Sequence, residues 1–205
     1  MCYNKCTVYT YVTKGRKIMP RKPTDLKERL INQGLQLIRK RGISALSMRE
    51  ITKKCGVSHS SVYRYFPHKS DYINEVMNQG SIYFGKFLVE NIENVENYKL
   101  RLELMGINFI DFAKVETNLF NALFFSNQSQ EIKLDKGEDF KFLAYQEFVA
   151  TIQRIVNREE VDTEVVHLWS YIMGFAVLVA NHDLSMDKQW IQKNIHQMIE
   201  VYFKH

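Results

Sequence analysis

Between Ser47 and Lys69 the sequence reads SMREITKKCGVSHSSVYRYFPHK, and almost every charge in it is positive. The side chains that could do chemistry there are Ser47, Arg49, His59, Ser60, Ser61, Tyr63, Arg64, Tyr65 and Lys69. Guanidinium, ammonium, hydroxyl and phenol donors of this kind hold phosphate oxygens, and the forked or adaptable ones also address base edges. The set is suited to gripping a polyanion.

Such donors need a rigid mount, and the same residues supply it. Ser47 with Glu50 three positions on forms a capping box: the hydroxyl takes an exposed N–H and the carboxylate reaches back. Met48, Ile51 and Cys55 lie three and four apart, so they share one helix face turned toward a core. Gly56 suits the left-handed end of that helix, Val57 is the one apolar residue of the turn, and Ser58 caps the next helix. That second helix exposes His59, Ser60, Ser61, Tyr63, Arg64 and Tyr65 around buried Val62 and Phe66. Pro67 stops it, because proline disfavours helical geometry in the residue before it. Two short helices joined by a glycine turn are the unit that lays a helix into the DNA major groove. An ordinary helical hairpin with a solvated basic face is the plainer alternative.

The charge of the whole chain is divided in the same sense. Residues 1–70 hold 16 Lys/Arg against 3 Asp/Glu, and residues 71–205 hold 12 against 20, so a head of +13 sits on a body of −8. A basic head on an acidic body points to a polyanion at one end only. The basic residues interleave with turn and cap chemistry, not with a strong apolar face, which disfavours a membrane surface. The longest apolar run, Leu168–Ala180, is 13 residues and falls short of a bilayer, so no membrane role is expected. Residues 1–18 hold no continuous apolar stretch of the secretory kind. Cys2, Cys6 and Cys55 fit a reducing cytoplasm, and no second cysteine pair gives zinc spacing, so neither metal nor cofactor is expected.

Helical spacing recurs along the chain, and beyond the first 18 residues no stretch alternates in strand fashion, so the fold class expected is all-α. Residues 1–23 read as a flexible basic arm, with 1–18 lying upstream of the start if translation begins at Met19. Residues 24–70 read as a three-helix domain with the helix–turn–helix, and 71–205 as a larger helical body. Thr24 caps a first helix to about Arg41, with Leu26, Leu30, Leu37 and Ile38 inward and Gly42 at its end. A long helix follows from Lys69 to about Asn91. The body helices are expected near Tyr98–Glu116, Asn118–Phe125, Asp139–Arg158, Val161–Asn181 and Lys188–Phe203, with a polar loop at Ser126–Gly137.

Two patterns lead elsewhere and are discounted. Gly80 to Lys86 matches the opening of a phosphate-binding loop, but Phe87 stands where a magnesium-binding hydroxyl belongs and no strand precedes it. The glycines there suit close helix packing or a bend. His167, His182 and His196 are scattered, and no catalytic histidine, serine or paired-carboxylate motif is present, so no enzyme is expected.

From Pro20 to Gln79 the pattern resembles the tetracycline-repressor (TetR) family of transcriptional regulators. The resemblance rests on Leu46-Ser47-Met48-Arg49-Glu50-Ile51 and on Gly56-Val57-Ser58, Ser60-Ser61-Val62-Tyr63, Tyr65-Phe66 and Lys69, with Cys55 as one departure. It implies that Ser47, Tyr63, Tyr65 and Lys69 grip phosphates, Lys69 beside the amides of its own helix start. Arg49, His59, Ser60, Ser61 and Arg64 would approach base edges or nearby phosphates, with Arg49 the candidate for a bidentate guanine contact. Arg16, Lys17, Arg21 and Lys22 of the arm would reach a minor groove or add charge.

The resemblance also implies a homodimer through the two C-terminal helices, packed as a four-helix bundle on a pseudo-palindromic DNA operator. Ile191, Ile195, Met198, Ile199 and Tyr202 form an apolar stripe for it, with Val165, Trp169, Ile172 and Val177 on the preceding helix; an intramolecular core is the other use of the same stripe. A small apolar effector would enter the body among Met105, Phe109, Phe112, Phe120, Phe124, Tyr145, Trp169 and Met173, for each of which core packing is the plainer role. Met173 replaces a histidine common in a Trp-x-x-x-His-Gly pattern of some relatives. The expected function is an effector-responsive repressor. A helical module for RNA or a membrane surface, and an all-α enzyme with a pocket in the body, are the alternatives.

Overall fold

Helical periodicity is realised from end to end of the described chain. A computed structural model describes residues 24–92, 94–126, 140–157, 159–181 and 187–203, and no strand occurs among them. The helices are α1 (Thr24–Arg41), α2 (Met48–Cys55), α3 (His59–Tyr63), α4 (Lys69–Leu88), α5 (Tyr98–Val115), α6 (Thr117–Phe125), α7 (Phe140–Ile152), α8 (Val161–Ala180) and α9 (Lys188–Tyr202). The expected arm with Arg16, Lys17, Arg21 and Lys22, the Thr24 side chain, Cys2, Cys6, His182 and residues 127–137 lie outside the described residues.

Helix ends fall where cap chemistry puts them. Asn97 and Asp187 accept the Leu100 and Trp190 N–H groups at 3.1 and 2.7 Å, opening α5 and α9. At α4 the His68 N–H donates to Asp71 Oδ2 at 2.8 Å. Two ends differ from expectation. A 3-10 turn, Ile43–Ala45, separates α1 from α2, and α7 stops at Ile152, short of Arg158.

α1, α2 and α3 pack with the start of α4 around Leu30, Ile38, Ile51, Val62, Phe66 and Tyr72, all buried. The body is built around α5, which packs against α4, α6, α7, α8 and α9. Its centre is aromatic: Phe84 meets Phe109, Phe112 and Phe124 edge-on at 5.6, 5.0 and 5.4 Å. Gly80 lets α4 approach α6, since a Cβ there would come within 3.0 Å of Leu119.

α8 corrects the expectation that no segment could span a bilayer. The apolar run continues backward through a polar first turn, giving a 20-residue helix long and apolar enough to cross a membrane by length and composition. Leu168, Ile172, Phe175, Ala176 and Val179 are nevertheless buried in the chain's own core. α9 is also placed more inward than a pure association stripe would be. Ile191, Ile195 and Ile199 are buried within the chain, Met198 is half-buried, and only Tyr202 of that stripe is exposed.

Candidate nucleic-acid interface

Ser47 opens α2 with extended geometry, and its Oγ accepts the Glu50 N–H at 3.4 Å. Only this half of the expected capping box forms. The Glu50 carboxylate turns instead to Arg41 and to Lys54, the latter at 3.1 Å, because two cations outcompete one backbone amide. Hydrogen bonds from Arg41 and Lys54 hold the Glu50 carboxyl below its ordinary range. Met48, Ile51 and Cys55 face the core as their spacing requires, and burial pushes the Cys55 thiol up. Gly56 ends α2 at φ 68°, ψ 33°, the left-handed conformation a side chain would resist.

Three contacts from neighbouring helices fix this unit. Arg29 Nη2 donates to the Cys55 carbonyl at 2.9 Å, Lys27 lies 5.7 Å above the Phe66 ring, and Tyr72 Oη donates to the Leu30 carbonyl at 2.7 Å. Phe66 and Tyr72 meet edge-on at 5.2 Å, and burial pushes the Tyr72 phenol far up, so it stays a neutral donor.

Most of the expected donors on this mount are open to solvent. Arg49, His59, Ser60, Tyr63, Arg64 and Lys69 are exposed, while Ser47, Ser61 and Tyr65 are half-buried. Among the described residues no ion pair engages Arg49, Arg64 or Lys69, so their charges stand ready for an outside anion. The His59 and Tyr63 rings, one turn apart, lie 5.3 Å from each other. Ser58, expected as a backbone cap, instead shares its hydroxyl with Ser60 at 2.9 Å and Ser61 at 2.8 Å. That places a third hydroxyl in the group, one that spacing had assigned to the helix start. Lys53 and Lys54 in the last turn of α2 are exposed as well, Lys54 paired with Glu50.

In the body a cavity of about 30 Å³ lies among α5, α8 and α9, closed by Leu88 of α4 and Phe148 of α7. Of the expected lining, Met105, Phe109 and Trp169 reach it. Phe112 and Phe120 are fully buried in the adjoining core. Phe124 touches Phe109 and Trp169 at 5.6 and 6.4 Å, exposed Tyr145 meets Trp169 at 5.9 Å, and half-buried Met173 packs against the core. Ile195, Met198 and Ile199 of α9 complete the lining, residues whose spacing had suggested self-association. No charged side chain lines it.

Residues 30–76 match the model of the bacterial regulatory proteins of the tetR family. The HTH-type transcriptional regulator LuxR of Vibrio harveyi is 32% identical over 71 residues, a match spanning 35% of either chain. The whole fold is similar to that of a Rhodococcus sp. RHA1 protein of unknown function, with TM-score 0.71, 14% identity, and 88% of this chain and 96% of that one covered. A transcriptional regulator from Rhodococcus sp. Rha1 gives TM-score 0.66 and 14% identity, with 87% and 96% covered. The family match falls on the α1–α4 segment that mounts the donors, and the body is folded as in these structures. The domain of residues 30–76 is thus similar to the bacterial regulatory proteins of the tetR family.

Proposed function

We propose that this chain is an effector-responsive transcriptional regulator, a repressor that binds a pseudo-palindromic duplex as a cytoplasmic homodimer. The observation that carries the reading is the exposed donor set on α2 and α3, held by a buried three-helix core. Arg49 would read a base edge, His59, Ser60, Ser61 and Arg64 would lie at or beside the bases, and Ser47, Tyr63, Tyr65 and Lys69 would hold phosphates. The role is one of binding and control, not catalysis.

Pairing through α8 and α9 is supported by the side of α8 turned away from the core. It carries exposed Val166, Tyr171 and Leu178, and Gly174 among them has nothing within 4 Å of a Cβ position. α9 adds exposed Trp190, Val201 and Tyr202 beside it. An apolar, shallow helix face of this sort suits a second copy in a four-helix arrangement.

The effector class follows from the cavity. Its lining of Leu, Met, Ile, Phe and Trp offers a ligand dispersion and ring contacts and no counter-charge, so the fitting molecule is uncharged and apolar. Ligand sites run to roughly 300–1,000 Å³, so about 30 Å³ must open by shifting α5, α8 or α9. A ligand that favours the opened body over the DNA-bound form releases DNA by that difference in affinity.

Selection of duplexes from a random pool by the full chain, followed by footprinting, tests the reading. The expected product is a two-fold sequence protected at two half-sites about one helical turn apart. Equal binding to every duplex at physiological salt, or equal binding to single-stranded RNA, would sink it.

A further inference from the structure

α1 contacts the donor-bearing unit through Lys27 and Arg29 and the body through Arg39, in its last turn. Arg39 Nε donates to Glu116 Oε2 at 2.7 Å, and its Nη2 pairs with the other carboxylate oxygen. Tyr83 of α4 completes the group: its Oη donates to Glu116 Oε1 at 3.1 Å, and the Arg39 guanidinium lies 4.8 Å above its ring. Asn118, in the first turn of α6, donates from Nδ2 to the Arg39 carbonyl at 3.1 Å. Glu116 is the joint between α5 and α6, and its side chain is only 6% exposed.

A buried ion pair is weak evidence for stability, because taking both charges from water offsets most of their attraction. A planar fork on a carboxylate, stacked on a ring, does fix relative orientation closely. The joint it fixes lies close to the cavity. Phe120 and Phe124 of α6 meet Phe109 at 6.0 and 5.6 Å, and Phe109 meets Trp169 at 5.5 Å, both of them cavity-lining residues.

We propose that Arg39, Glu116 and Tyr83 are positioning residues for DNA reading, a latch that fixes the α1–α3 head on the α5–α6 joint and so sets the spacing of two heads. The inference rests on the two-headed regulator reading above. Cutting the latch leaves each head's own contacts with DNA intact and frees its placement. Loss of discrimination between half-site spacings, without loss of half-site affinity, is its signature.

The test takes the duplex that the unaltered full chain enriches from a random pool and shifts its half-sites apart or together by about one or two base pairs. The unaltered chain should discriminate among these spacings by roughly tenfold or more, the scale of a typical coupling between sites. The paired replacement Arg39→Met with Glu116→Leu substitutes apolar groups for both charges, so the melting temperature should hold. Its affinity for an isolated half-site should also hold, while its spacing discrimination should fall to about twofold or less. Arg39→Lys keeps the charge and loses the fork, and it should relax spacing in the same direction, which keeps the test decisive if the paired variant folds poorly. Unchanged spacing discrimination in both variants, with selective DNA binding intact, overturns the latch alone. A chain that enriches no duplex at all overturns the regulator reading and the latch with it.

Discussion

Arg49 and Lys69 are both exposed cations on the same head, yet the proposed function gives them different work. Arg49 projects from the second residue of α2, where its two-pronged donors can meet the O6 and N7 acceptors of guanine. Lys69 is the first residue of α4, where its ammonium would join the amides of a helix start to hold a phosphate. Arg49→Ala should therefore cost about 1–3 kcal/mol on the preferred site and relax preference at one base position. Lys69→Ala should weaken all duplexes alike and flatten the salt dependence by about one unit of slope. Titrations of preferred and scrambled duplexes across salt check both, and equal loss of preference in the two variants would contradict the division. The exposure of Arg49, His59, Ser60, Tyr63, Arg64 and Lys69 was legible from the spacing of the buried residues between them. Ser58 was not: a serine at a helix start has a backbone amide as its usual partner, and only the fold shows its hydroxyl spent on Ser60 and Ser61. Glu50 was misread for a similar reason, since Arg41 and Lys54 approach it from positions that a local motif ignores.

At the scale of helices, the head depends on how closely α1 lies on α4. A Cβ at Gly34 would fall 2.3 Å from Tyr72 Oη and 2.8 Å from Val76 Cγ2, both on fully buried side chains. Gly→Ala in a helix gains about 1 kcal/mol of propensity, but overpacking of a core costs about 1–3 kcal/mol and here also disturbs the Tyr72–Leu30 bond. Gly34→Ala should lower the melting temperature, and a rise would show that α1 and α4 separate freely. α9 is clipped to α5 by His196 Nδ1 and Glu103 Oε2 at 3.0 Å, and the hydrogen bond and charge of Glu103 raise the His196 pKa above 6.5. A raised histidine stabilises fully below its ordinary value and loses that contribution as pH climbs through the folded value. His196→Gln should therefore lower the melting temperature near pH 6 and change it little near pH 9, as parallel thermal scans would show. The helices themselves were legible because caps and 3.6-residue spacing are local. The partner of each apolar stripe was not, since Ile191, Ile195 and Ile199 would read the same facing α5 or facing a second copy.

For the whole molecule, the fold supplies one head per chain, and a two-fold site needs two held together. α9 has turned its Ile stripe inward, so the surface left for a partner is the outer side of α8 with the exposed rings of α9. Gly174 gives the cleanest probe of that surface. Within a single chain its Cβ direction is open, so the Cβ of Gly174→Arg meets no atom within 4 Å, and the change gains about 1 kcal/mol of helix propensity. A folded monomer should tolerate the change or be stabilised by it, whereas a helix packed against α8 cannot accept an arginine at the contact. Sedimentation should accordingly show the unaltered chain at twice 24.3 kDa and the variant at 24.3 kDa, with unchanged helical content. Binding should divide in the same way. Affinity for an isolated half-site stays, and affinity for the two-fold duplex falls by about tenfold or more, because the second head is no longer tethered near its site. A variant that remains dimeric would place the association surface away from α8, and the spacing of the heads would then need another explanation than the bundle proposed here.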